Sequence, residues 1–287
     1  MKLAGPPAMM EVLLLTNRPA PMIPPMEIIV RWRPFSERLS SYFGADCAGV
    51  VVWIIGYPLG WPGILPRFDV DPWVQIADWR RAISYLESHP AVDPDRIGLW
   101  GTSYGGGHAI VLGATDRRLR AVVAQVPTIS GYQQGLRRVA PDQVGALEAG
   151  FIDDERRQFQ GEPPAVQAVV SADPAVPAAY SSQDAIAFYN QPVPEGVWHN
   201  TMTVRSSRAA RMYEPGVWIS RVSPTPLLMI VGLHDTITVA DLALAAYERA
   251  LQPKKLVTIA GGHFDPYQDR FAEAGGAARD WFTEHLT

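Results

Sequence analysis

The chain of 287 residues has a single cysteine, Cys47. An intrachain disulfide is therefore excluded, and with it the small secreted folds framed by disulfides. Long hydrophobic runs are also missing, whereas a membrane-spanning helix needs about 20 apolar residues in succession. Near the start, Lys2 and the run Val12–Leu15 hint at a leader, but Glu11 and three prolines interrupt any signal-peptide core. Basic charge is not in excess: 25 Lys and Arg against 29 Asp and Glu leave a formal net charge of −4, which argues against nucleic acid as the main partner. His, Cys and Asp are nowhere grouped at metal-ligand spacing, so no metal is expected. There is no internal repeat and no low-complexity tract. The expectation is a soluble, cytoplasmic protein without a membrane partner, and no pattern specifies its oligomeric state.

What is present is apolar content, at 47% of residues, enough for a sizeable core. The length suits one large α/β domain with an insertion, or two small domains. Prolines concentrate at about 6–34 and 163–226. Between these zones lies the stretch that organises the chain, Arg96-Ile97-Gly98-Leu99-Trp100-Gly101-Thr102-Ser103-Tyr104-Gly105-Gly106-Gly107. Ile97 to Trp100 is a short apolar run, the mark of a buried strand. Gly101-Thr102-Ser103-Tyr104-Gly105 then fits G-x-S-x-G, a sharp strand-to-helix turn that presents a serine at the amino end of the next helix. Free backbone N–H groups and the helix dipole stabilise developing negative charge there.

Around that turn, strand and helix patterns alternate. Strands are expected at 11–16, 49–55, 97–100, 121–126, 226–232 and 255–260, with 26–33 as a further edge candidate. Helices are expected at 34–42, 72–88, after the serine turn, at 239–251 and at 268–286. Asp71-Pro72 supplies a capping carboxylate and a proline at the first helical position. The alternation predicts a mostly parallel central sheet flanked by helices on both faces. Between Pro127 and Ser223 no strong strand pattern occurs, and helices are expected near 141–160, 182–190 and 200–213. This predicts residues 1–127 and 223–287 as an α/β core, with 128–222 as a helical cap inserted over the active site.

Serine is a weak nucleophile near neutral pH and needs a base, which in turn needs an acid to fix its tautomer. Two groups follow sheet strands closely: Asp235 after Leu227–Gly232, and His263 after Leu256–Ala260, set off by Gly261-Gly262. Loops at the carboxyl ends of parallel strands converge on one crevice. Ser103, Asp235 and His263 are the expected nucleophile, acid and base. Asp241 is a competitor for the acid, but it falls within a helical pattern. His108, one turn into the helix after the serine, is expected to be packed beneath the site.

From Asp71 to the C-terminus the chain resembles the α/β-hydrolase superfamily, and within it the bacterial dienelactone-hydrolase-like and acyl-peptidase-like serine esterases. The residues that carry this are Asp71-Pro72, Asp78-Trp79-Arg80, Val92 to Gly106, Gln125-Val126-Pro127, Pro226 to Val231 and Gly261-Gly262-His263-Phe264. The order Ser103, Asp235, His263 is the family's order. The resemblance implies hydrolysis of an ester, thioester, lactone or amide through an acyl-enzyme on Ser103, with a small ester, thioester or lactone as the leading expectation and no cofactor. It also implies an oxyanion hole made by the N–H of Tyr104 and of a residue after the first strand, where this chain offers Asn17 in Thr16-Asn17-Arg18-Pro19. The N-terminal quarter departs from the family, and its opening strands are expected to be shortened. Two other readings keep the fold: hydrolysis of a carbon–carbon bond in a β-diketone-like compound by the same triad, and a weakened hydrolase fold that serves as a binding module.

Overall fold

The computed structural model describes residues 50–55, 68–89, 92–192 and 198–286. The strand and helix candidates before Val50, and Asn17 with them, lie outside the described residues. In chain order the elements are β1 (Val50–Ile55), α1 (Pro72–Ser88), β2 (Ile97–Thr102), α2 (Tyr104–Thr115), β3 (Leu119–Gln125), α3 (Gly131–Arg138) and α4 (Val144–Phe159). They continue with β4 (Val166–Val170), β5 (Ala178–Tyr180), α5 (Gln183–Tyr189), β6 (Met202–Thr203), α6 (Val204–Arg211), β7 (Leu227–Gly232), α7 (Ala240–Arg249), β8 (Lys254–Ile259) and α8 (Phe271–His285). The described residues fall into two units: 50–55, those within 73–129 and 215–286 form one, and 68–72 with those within 130–214 the other.

The first unit is built on a five-stranded sheet in the order β1-β2-β3-β7-β8, every neighbouring pair parallel. Parallel strands covered on both faces are apolar throughout rather than alternating. β7, Leu-Leu-Met-Ile-Val-Gly, is buried at every position. Along β3, Ala121 and Val123 face α8, joining Trp100, Leu228, Ile230, Ile259, Phe271, Trp281 and Phe282 in one apolar cluster. Val122, one residue out of phase, faces the opposite helix α2, where a Cβ built on Gly113 would touch its Cγ2 at 3.0 Å. The expected parallel sheet with helices on both faces is therefore found. α1 spans the expected 72–88, with Ile76, Ile83 and Leu86 as its buried stripe. Val74 and Ala77 on the same helix are half-buried.

The second unit corrects one expectation. Residues 128–222 carry no strong strand pattern, yet the structure forms a small sheet there in the order β5-β4-β6, parallel on one side of β4 and antiparallel on the other. The strands are two to five residues long. That is too short for period-two alternation to rise above noise. Much of the pairing also comes from outside the strands. Asn200 accepts the N–H groups of Val169 and Val170 at 2.9 Å and donates to the Val170 carbonyl at 2.8 Å. The helices α4 and α5 lie where the pattern puts them, and α3 is an addition.

Within this unit Asp69 ties residues 68–72 to β6 and α6. It is buried, accepts Arg205 Nε and Nη2 at 2.9 and 2.8 Å, and accepts the Thr203 hydroxyl at 2.5 Å. A bidentate guanidinium–carboxylate pair fixes orientation as well as distance. No helix among the described residues is long and apolar enough to cross a membrane.

Candidate active site

β2 delivers Ser103, and the turn that follows it is forced. Ser103 has φ 55° and ψ −119°, in the left-handed region that a residue with a Cβ rarely occupies. Such strain persists only where the surroundings over-determine it. Here the Ser103 N–H donates to Gln125 O at 2.9 Å, while its carbonyl accepts from Thr128 N at 2.9 Å and Gly107 N at 3.2 Å. The glycine at 101 is required by close approach: a Cβ there would stand 2.0 Å from the Gly105 carbonyl oxygen. Tyr104 opens α2, so its N–H lies in the first turn, where N–H groups point out of the helix's amino end.

The loops after β7 and β8 bring the two other expected residues to Ser103. His263 Nε2 lies 2.9 Å from Ser103 Oγ, and His263 Nδ1 lies 2.8 Å from Asp235 Oδ2. Both Asp235 and His263 are buried. With Nδ1–H held by the carboxylate, Nε2 is the nitrogen left to take a proton from Ser103. Asp241 is in the first turn of α7, as its pattern suggested.

Asp235 is held by more than His263. Its Oδ1 accepts the N–H groups of Ile237 and Thr238 at 2.7 and 2.9 Å, and the Thr238 hydroxyl stands 2.7 Å from Oδ2. Burial works against the charged carboxylate. The charge and hydrogen bond of His263, with the Thr238 donors, overrule it and keep the Asp235 carboxyl below the usual range. The loop reaches this shape through Val239, a β-branched residue at φ 66°. Thr238 was not singled out in the sequence, since a threonine before a helix signals only a cap.

His263 is flanked by aromatic rings, Phe264 edge-on at 4.9 Å and Tyr267 at 6.0 Å between centroids. Asp265 Oδ2 accepts the Gly262 N–H at 2.5 Å, closing the loop just before the histidine. His108 is fully buried beneath the turn, with Nε2 2.9 Å from Gln75 Oε1. Burial pushes its pKa down to about 3, so it is neutral and donates to Gln75.

The chain is similar to known proteins. The model of the X-Pro dipeptidyl-peptidase (S15) family matches residues 65–265. A thiohydrolase of Eupenicillium brefeldianum is 28% identical over 86% of this chain and 80% of its own length. The quorum-quenching protein AidA of Acinetobacter baumannii is 31% identical over 70% of this chain and 66% of its own length. Among solved structures, the α/β hydrolase GrgF from Penicillium superposes with a TM-score of 0.65 at 22% identity, covering 77% of this chain and 74% of that one. The fold match, and a family match that runs from before the strand leading to Ser103 to just past His263, lead to one conclusion: the chain belongs to the X-Pro dipeptidyl-peptidase (S15) family and has the α/β-hydrolase fold.

Proposed function

We propose that the chain is a serine hydrolase that cleaves a small ester, thioester or lactone through an acyl-enzyme on Ser103. The observation that carries this reading is the continuous line Asp235 Oδ2, His263 Nδ1, His263 Nε2, Ser103 Oγ, with contacts of 2.8 and 2.9 Å at its two joints. Ser103 Oγ attacks the acyl carbon while His263 Nε2 takes its proton. Asp235 stabilises the imidazolium without taking the proton itself. The tetrahedral oxyanion is met by the Tyr104 N–H at the start of α2. As the intermediate collapses, His263 returns the proton to the leaving alkoxide or thiolate. Water, activated by the same histidine, then releases the acid and restores Ser103.

Thioesters are favoured among acyl donors by the relative named a thiohydrolase. The family's own description points instead to a peptide bond. The two differ in leaving group: a thiolate departs readily, whereas an amine must be protonated first. The test is hydrolysis of p-nitrophenyl butyrate, butyryl-N-acetylcysteamine and Ala-Pro-p-nitroanilide by the wild type and Ser103→Ala. Turnover of the ester and thioester, abolished in Ser103→Ala, is expected. Turnover of the anilide alone would replace this reading with a peptidase.

A further inference from the structure

The hydrogen bond between His263 Nε2 and Ser103 Oγ is broken in every turnover, because His263 must carry the proton away from Ser103 and present it to the leaving group. That bond therefore cannot be what keeps nucleophile and base at the right separation through the cycle. A link between their two mounts has to persist while the bond is gone.

The structure contains such a link. Thr102, the residue before Ser103, donates its hydroxyl to Tyr267 OH at 2.5 Å across 165 positions of sequence. Tyr267 closes the one-turn 3-10 helix Asp265–Tyr267, four positions after His263, and its N–H returns to Phe264 O at 3.0 Å. From the other side Gln125 Nε2 donates to Thr102 Oγ1 at 3.2 Å. The backbone carbonyl of the same Gln125 accepts the Ser103 N–H at 2.9 Å. The protons balance: Thr102 has one hydroxyl hydrogen, given to Tyr267, and its oxygen accepts from the amide. Thr102 and Gln125 are both buried, at 4% and 0% exposure, while Tyr267 is half-buried, so the Gln125–Thr102 bond in particular is shielded from water.

Resting on the serine-hydrolase reading, we propose that Thr102 and Tyr267 form a strut that sets the Ser103–His263 separation during turnover, with Gln125 fixing Thr102. Both are positioning residues and act through Ser103 and His263. The position between glycine and serine in G-x-S-x-G, chemically unspecified in the motif, has a defined task in this chain. Small displacements of reacting groups cost large factors in rate, on the order of a hundredfold for 1 Å. Losing one buried neutral hydrogen bond while its neighbours remain is expected to cost about tenfold.

The experiment compares Tyr267→Phe, Thr102→Val, Thr102→Ser, the double variant Tyr267→Phe/Thr102→Val and Ser103→Ala. The readouts are p-nitrophenyl butyrate hydrolysis and the rate of fluorophosphonate labelling at Ser103. Each single removal of a hydroxyl is expected to lower kcat about tenfold and to leave KM within about twofold, with labelling slowed by the same factor. The double variant should be no slower than the slower single one, because both remove one shared contact. Thr102→Ser should recover most of what Thr102→Val loses. Losses that multiply in the double variant, or a kcat within twofold of wild type in Tyr267→Phe, would overturn the strut. Should Tyr267→Phe fail to fold, the Thr102→Val and Thr102→Ser pair decides alone. If Ser103→Ala keeps wild-type turnover, the serine-hydrolase reading falls and the strut with it. An inactive Ser103→Ala beside an unimpaired Tyr267→Phe removes only the strut.

Discussion

Thr238 holds Asp235 at both carboxylate oxygens, with its N–H 2.9 Å from Oδ1 and its hydroxyl 2.7 Å from Oδ2. The hydroxyl is also 2.9 Å from the Val126 carbonyl, and one proton serves only one of these acceptors at a time. Thr238→Val keeps the N–H and removes the hydroxyl at nearly constant volume. A hydrogen bond to a buried charged group is worth roughly 1.5–3 kcal/mol, of which only the part that changes on reaching the transition state appears in the rate. The expected outcome is about a tenfold loss of kcat/KM, with Thr238→Ser close to wild type. Steady-state kinetics on the three proteins decide it; equal values would mean that the backbone donors alone orient Asp235.

Asp235→Asn preserves the shape of the acid but presents His263 with a group that cannot balance an imidazolium. Loss of kcat by a factor on the order of 10³–10⁴ is expected, with the fold retained. Circular dichroism and ester hydrolysis on the same preparation separate the two effects. A loss below about tenfold would remove Asp235 from the proposed mechanism.

Two glycines on β2 differ in what surrounds them. A Cβ on Gly101 would meet the backbone oxygen of Gly105 at 2.0 Å, which cannot yield without moving the turn. A Cβ on Gly98 would meet the Phe282 and Leu286 side chains at 2.7–2.9 Å, and those can rotate. Gly101→Ala is expected to destabilise by about 3 kcal/mol or more, and Gly98→Ala by about 1 kcal/mol. Urea unfolding monitored by tryptophan fluorescence gives the order. The reverse order would show that the turn after Ser103 is softer than its geometry implies.

His108 ties stability to pH. Its folded pKa lies near 3 and an unfolded histidine titrates near 6.5, so between these values the unfolded chain binds the extra proton. Stability therefore falls as the solution is acidified through that window, by about 2 kcal/mol at pH 5. The Asp235 carboxyl, depressed below its ordinary value, acts only at lower pH, where it too is lost on acidification. His108→Gln keeps a donor toward Gln75 but does not titrate. Its melting temperature between pH 7 and 5 should decline less steeply than that of the wild type. Parallel curves would show that protonation of His108 is accommodated in the folded protein.

Much of this architecture was legible one segment at a time. The β2–Ser103–α2 turn is encoded within a dozen residues, because a strained nucleophile turn needs small neighbours and an apolar strand before it. The α1 helix starts at Pro72, and the strands β3 and β7 show as largely apolar runs, because the middle of a sheet covered on both faces admits little else. The small β5-β4-β6 sheet was not legible. Its strands are stabilised by Asn200 and by partners far along the chain, so their own residues carry no periodic signal.

The sequence by itself determined the order of elements, the serine turn and the short set of groups able to serve it, since turn chemistry and apolar periodicity act between near neighbours. Only the tertiary structure decided which of these groups meet. His263 reaches Ser103 across 160 positions and Tyr267 reaches Thr102 across 165. Asp235 touches His263 because the loop through Thr238 and the strained Val239 turns it inward. Contacts at that range depend on strand order and loop closure, and no local propensity encodes either one.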